Sequence, residues 1–232
     1  MAQNQVQSPK IYAYTQHVNT VKIIESVCGV NITVLNQDRT RDPVDDILSQ
    51  LQLDTAQQII LYAVLPIDKA LELKQRAPSL TLRLTQLDGS VIERLTGKPY
   101  DPKAEYPPEI VKPALKIIEV KGGTIRYMSF RDMIFEIVKR GFKRISVFND
   151  TLRQGIKLAM DKLGCGELEL VKTCDSNDCV EVNPLGYKSG YRISFPGTAG
   201  RLTPEQMAEM ILRNEARIYY AEVIAEEVPI CA

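Results

Sequence analysis

The 232-residue chain has no tryptophan and one histidine, His17, and its 29 basic residues are balanced by 29 acidic ones. Each scarcity removes a class of function. A single histidine rules out a paired histidine acid and base within one subunit, an arrangement suited to nucleic-acid cleavage. Balanced charge supplies no overall field toward nucleic acid or an anionic membrane, so nucleic acid is not indicated as a partner and a role there would need a local patch. No apolar run approaches the roughly 18 residues of a membrane span. The opening "MAQNQVQSPK" is polar and lacks an apolar segment, so residues 1–9 are expected to form a flexible tail and not a secretory signal. A cytoplasmic protein is the expectation.

Cysteine is sparse and badly spaced for chemistry. Cys28, Cys165, Cys174, Cys179 and Cys231 are odd in number and include no C-x-x-C pair, which excludes a zinc ribbon or a thioredoxin-type site. Reduced thiols are expected, including Cys174 and Cys179, although these two flank "DSND" closely enough to form a redox-labile bond. Asp175 and Asp178 in that turn lack the full calcium-loop pattern, and no metal or cofactor is expected. The dinucleotide fingerprint, the Walker A loop, the G-x-S-x-G elbow and the HExxH motif are all missing.

The residues present describe an ordinary globular chain, 44% hydrophobic and 25% charged. "KIYAYT", "VKIIESVCG" and "VNITVLN" read as strand, helix and strand. "DPVDDILSQLQ" opens a helix, with Asp42 as N-cap, Pro43 in the first helical position and acidic residues in the first turn. "QQIILYAVLP" is continuously apolar, as a strand buried on both faces requires. "LTLRLTQLDGS" alternates like an edge strand. Strands separated by helices imply right-handed crossovers and a mainly parallel sheet.

The expected fold is therefore α/β, with two Rossmann-like three-layer lobes. The N-terminal lobe spans residues 10–98, a Pro-rich linker residues 99–113, and the C-terminal lobe residues 114–232. The second half aligns "FEIVKRGFKRISVFN" with "IIESVCGVNITVLN" of the first. An internal duplication is one reading of that match, and shared βα composition is the other. "ALKIIEV-KGG-TIRYMS" and "ELELVKTCDSNDCVEVN" each read as a β-hairpin. "TPEQMAEMILRNEARIYYAEVIAEEV" reads as one long C-terminal helix, started by Thr203, Pro204 and the capping-box Gln206.

Ligands of parallel sheets bind beyond the carboxyl ends of the strands, where helix N-termini supply positive potential. That rule selects Thr15, Gln16 and His17, then Asn36, Asp38, Arg39 and Arg41, and Asp68; in the second half it selects Ser129, Arg131, Asp132, Asn149, Asp150 and Arg153. Guanidinium groups suit phosphate or carboxylate. A second anion site is expected at Gly197, Thr198, Gly200 and Arg201, before the capped last helix. His17 with Thr15 is the candidate catalytic pair, against the plainer reading of a loop histidine.

Three functions follow. The first is a binding or sensing protein for a phosphate-bearing small molecule or nucleotide, that is, a small anionic ligand. The second is a hydrolase or transferase that uses His17 on a phosphoester. The third is a non-catalytic scaffold, homo-oligomeric through the last helix and its Tyr219 and Tyr220.

Overall fold

The computed structural model describes residues 8–15, 17–38, 40–51, 57–101, 104–166, 168–184, 186–196 and 202–231. In chain order the elements are β1 (Lys10–Tyr14), α1 (Val18–Cys28), β2 (Thr33–Val34), α2 (Pro43–Gln50), β3 (Ile59–Ala63), α3 (Ile67–Arg76), β4 (Thr81–Leu87), α4 (Gly89–Thr96), α5 (Pro108–Val111), β5 (Leu115–Tyr127), α6 (Phe130–Lys139), β6 (Arg144–Ser146), α7 (Asp150–Leu163), β7 (Glu169–Val171), β8 (Cys179–Glu181), β9 (Gly190–Ser194), α8 (Pro204–Leu212) and β10 (Arg217–Val228). The protein is mixed α/β, with a seven-stranded sheet ordered β2-β1-β3-β4-β5-β10-β9 and a three-stranded sheet ordered β7-β6-β8. No helix among the described residues is long and apolar enough to cross a membrane.

The chain divides into two units. Unit 1 comprises Met1–Gly122 and Ile224–Ala232, and unit 2 comprises Gly123–Val223. In unit 1, β1 pairs in parallel with β2 on one side and β3 on the other, and β4 continues the parallel set before β5 joins antiparallel. β3 is buried at all five residues, which explains its unbroken apolar run. β4 is an interior strand between β3 and β5, not an edge, and its middle residues are buried. Its alternation reflects Arg83, whose buried guanidinium donates to Tyr62 Oη at 2.9 Å and to Glu119 at 3.2 Å. The Pro-rich segment packs within unit 1, where Asn19 donates to Ala104 O at 2.6 Å and accepts from the Tyr106 N–H at 3.0 Å.

In unit 2, β7 and β8 are both parallel to β6 and lie on opposite sides of it. The expected hairpin is therefore absent: alternation and a polar turn identify two strands but not their partners. The connection between them is short, and Arg144 at the start of β6 ties it down through Asp175, Ser176 and Asp178. Both carboxylates are engaged by that arginine, and no group of three or more metal-holding side chains occurs among the described residues. A parallel bridge between Val182 and Tyr191 links β8 to β9, which pairs antiparallel with β10.

Two further expectations are corrected. "LKIIEVKGGTIRY" is a single 13-residue strand, β5, with Gly122 and Gly123 inside it and not at a turn. The long C-terminal helix is not found: α8 ends at Leu212, Asn214 takes a left-handed φ of 57°, and the chain continues as β10. Tyr219 and Tyr220 stand on that strand, opposite Arg192 and Tyr191, with Tyr219 buried. The strands aligned from the sequence hold different places, since β2 lies at an edge beside β1 whereas β6 lies between β7 and β8, although the parallel orders β2-β1-β3 and β7-β6-β8 are alike. The helix starts are as expected: Asp42 caps α2 at the Val44 N–H, and Thr203 with Gln206 forms the capping box of α8.

The thiols are not all reduced. Cys28 is bonded to Cys231 and Cys174 to Cys179, leaving Cys165 free. Folding brings Cys28, at the end of α1, within 5.2 Å (Cα to Cα) of a residue 203 positions away, inside the range a disulfide needs. Sequence spacing carries no trace of that proximity.

Candidate functional site

Two strand-end edges hold the residues selected from sequence. In unit 1 the centre is Asp46, buried in the first turn of α2. Its carboxylate accepts the Tyr14 hydroxyl and the Asp38 N–H, both at 3.0 Å, and the Gln50 side-chain amide at 3.0 Å. Gln50 also reaches the loop backbone, accepting from the Asn36 N–H at 2.9 Å and donating to its carbonyl at 2.7 Å. Burial, reinforced by the Asp46 carboxylate, pushes the Tyr14 hydroxyl up to about 12. Beside this cluster Lys69 lies 2.7 Å from both Asp42 and Glu72. Burial opposes each charge, but the mutual bonds prevail, holding Asp42 below its ordinary value and Lys69 above.

The sequence-selected residues of unit 1 therefore fall into two loops joined through Asp46. Thr15 is buried and its Oγ1 accepts the His17 N–H at 3.0 Å. His17 occupies the N-cap position of α1 without a side-chain capping bond. Asn36 and Asp38 are exposed, and Asp38 Oδ1 is engaged by the Thr40 amide and hydroxyl. Arg41 reaches along α2 to Ser49 at 3.4 Å, while Asp68 is fully buried in α3. Gln16, Arg39, Gly197, Thr198, Gly200 and Arg201 lie outside the described residues.

In unit 2 the corresponding edge is open. Beyond the carboxyl ends of β6, β8 and β9 is a pocket of about 320 Å³ lined by Val147, Phe148, Asn149, Leu152, Asn183, Ile193, Phe195 and Met207. Four chain segments build it. Val147 and Phe148 continue β6, and Asn149 caps α7 by accepting the Leu152 N–H at 2.9 Å. Asn183, at a left-handed φ of 54°, follows β8 and clamps Ile193 by both its amide donor and its carbonyl, at 2.9 and 2.8 Å. Met207 comes from the first turn of α8, which lies so close to α7 that a Cβ added at Gly155 would stand 2.8 Å from the Met207 Cβ and 3.1 Å from Pro204 O. Glycine is required there by the contact itself.

The mouth of the pocket is charged. Phe148 is half exposed, and the Lys172 ammonium lies 5.6 Å from its ring centre. Arg153 donates to Val147 O at 3.0 Å and to Asp150 at 2.6 Å. The Arg153 bond, then the charge of Lys172, hold the exposed Asp150 carboxyl below its ordinary value. Two cations thus face one carboxylate. Ser129 and Asp132 form the capping box of α6, and Arg131 lines a separate groove beside Phe135 and Cys165.

Of the sequence-selected residues that are described, Asn149 alone lines the pocket. Phe148, Asn183, Phe195, Met207 and Lys172 were missed. One signal was available for Phe148: an apolar residue just before an N-cap normally staples onto an apolar residue at the fourth helical position, and that position is Arg153. An aromatic ring with no staple partner is left for another use.

The fold and this edge define a mixed α/β protein with an open cavity at the carboxyl ends of parallel strands. No family model, curated protein or solved structure matches the chain.

Proposed function

We propose that the protein binds a phosphate-bearing small molecule or nucleotide at the strand ends of unit 2. The observation that carries this reading is the pocket beyond β6, β8 and β9, the position at which parallel α/β sheets hold ligands. Its volume of about 320 Å³ lies at the small end of ligand pockets, which run roughly 300–1,000 Å³, and so favours a mononucleotide-sized occupant over a dinucleotide. The starts of α7 and α8 adjoin it, and Lys172 and Arg153 supply positive charge at its rim. Unit 1 is the poorer candidate because its strand-end carboxylate is already filled by three internal donors.

Methionine methyl spectroscopy tests the reading directly. The chain has six methionines, of which Met207 lines the pocket. Titration with nucleoside monophosphates and sugar phosphates is expected to shift the Met207 methyl resonance saturably. Unmoved methyl signals throughout the panel at millimolar concentration would sink the proposal.

A further inference from the structure

We infer that the occupant enters this pocket ring first, with a flat aromatic base held against Phe148 and its anionic group left at the mouth beside Lys172. The inference rests on the reading of the pocket as a ligand site and narrows the ligand to a class. Among the described residues the interior walls are Val147, Leu152, Ile193, Phe195 and Met207, all apolar. Asn183, the polar residue on the inner side, spends its carbonyl and its amide on the Ile193 backbone. The hydroxyls of a sugar phosphate would be desolvated there with few partners, a loss of roughly 1–3 kcal/mol for each unmet group. A flat ring loses little on entering and gains the walls plus the Phe148 face.

The anion is excluded from the interior for the same reason and finds its partner outside. Lys172 follows β7 and is exposed, with its ammonium over the outward-facing Phe148 ring and no ion pair of its own among the described residues. Arg153 is held by Val147 O and Asp150, so of these two cations Lys172 is the one able to move onto a ligand. Phe148 then grips the ring, and Lys172 distinguishes a nucleotide from its uncharged nucleoside. Among the described lining residues, Asn149 is the one left to read a base edge, and its Oδ1 is occupied as the cap of α7. Selectivity among bases is correspondingly low.

The experiment compares adenosine monophosphate, adenosine and ribose 5-phosphate as probes on the full chain, following the Met207 methyl signal. Adenosine monophosphate is expected to bind about fivefold more tightly than adenosine, the upper end for an exposed charge pair. Ribose 5-phosphate is expected to bind at least tenfold more weakly than either. Lys172→Ala should bring adenosine monophosphate to the affinity of adenosine while leaving adenosine unchanged. Phe148→Ala should weaken both by about tenfold, within the range of aromatic stacking on a base. Tight binding of ribose 5-phosphate with none of adenosine would overturn the ring-first inference and leave the ligand-site reading standing. Equal affinities of adenosine and its monophosphate, unaltered in Lys172→Ala, would remove the role of Lys172. Silence with all three probes would defeat both readings together.

Discussion

At the strand ends of unit 1, Asp46 accepts a tyrosine hydroxyl, a backbone amide and a glutamine side chain; at the strand ends of unit 2, the same kind of edge opens onto a cavity walled by apolar side chains. Both edges follow parallel strands and lead into helices with side-chain caps, at Asp42 and Asn149. Topology alone would rank them equally. What separates them is the state of the polar groups. In unit 1 they satisfy one another and lock the loop after β2 onto α2, so the edge is structural. In unit 2 Asn149 and Asn183 spend bonds on the frame of a space whose other described walls are apolar.

The units also differ in how they are fastened. The Cys28–Cys231 bond joins positions 203 apart and belongs to unit 1, while Cys174–Cys179 closes a loop between positions five apart in unit 2. Chain entropy makes the longer closure worth more, about 5 kcal/mol against about 2 kcal/mol. The largest effect expected of any single change is therefore Cys231→Ser. Urea midpoints of this variant and of Cys174→Ser, measured without reductant, should fall in that order. If Cys174→Ser is the more damaging, the stability of the fold is governed by the crossover around β6 and the contrast inverts.

The next effect concerns the Asp46 cluster and is read through pH. The Tyr14 hydroxyl is raised to about 12 in the folded chain, from about 10 when unfolded. Below pH 10 both states keep the proton and the stabilisation is complete. Between pH 10 and 12 the unfolded chain loses its proton first, so stability falls by about 1.4 kcal/mol per pH unit, or about 2–3 kcal/mol in all. Tyr14→Phe should be less stable than the parent at neutral pH and should lack this component of alkaline loss. Parallel denaturation curves for the two proteins from pH 9 to 12 would show that Asp46 does not organise the edge.

The sequence displayed the ends of elements better than their pairings. Asp42 with Pro43, and Thr203 with Pro204 and Gln206, were legible because capping is local chemistry within four residues. β3 was legible because burial on both faces leaves a continuous apolar run. β10 was misread as helix because "EARIYYAEVIAEEV" mixes good helix formers with apolar residues at helical spacing; pairing of Ile218 with Ile193 and Tyr220 with Tyr191 decides it, and those partners lie in β9. The disulfides and the pocket were hidden for a related cause. Phe148, Asn183, Phe195 and Met207 converge from four segments spread over 60 positions, and no periodicity reports that. Asn149 was found because the strand-end rule needs only the local order of strand, loop and helix.

The smallest expected change in stability tests the contrast most sharply. Phe148 is half exposed and lacks an apolar staple partner, so Phe148→Ala should change the unfolding free energy from urea denaturation by no more than about 0.5 kcal/mol, the ordinary range for a surface substitution. A residue placed for packing would show the larger loss of several kcal/mol that follows truncation of a buried aromatic ring. Near-neutral stability joined to a tenfold loss of adenosine affinity would mark Phe148 as a ligand contact. A large loss of stability would instead make the unit 2 edge as structural as that of unit 1, with the ring serving as a lid on its own core.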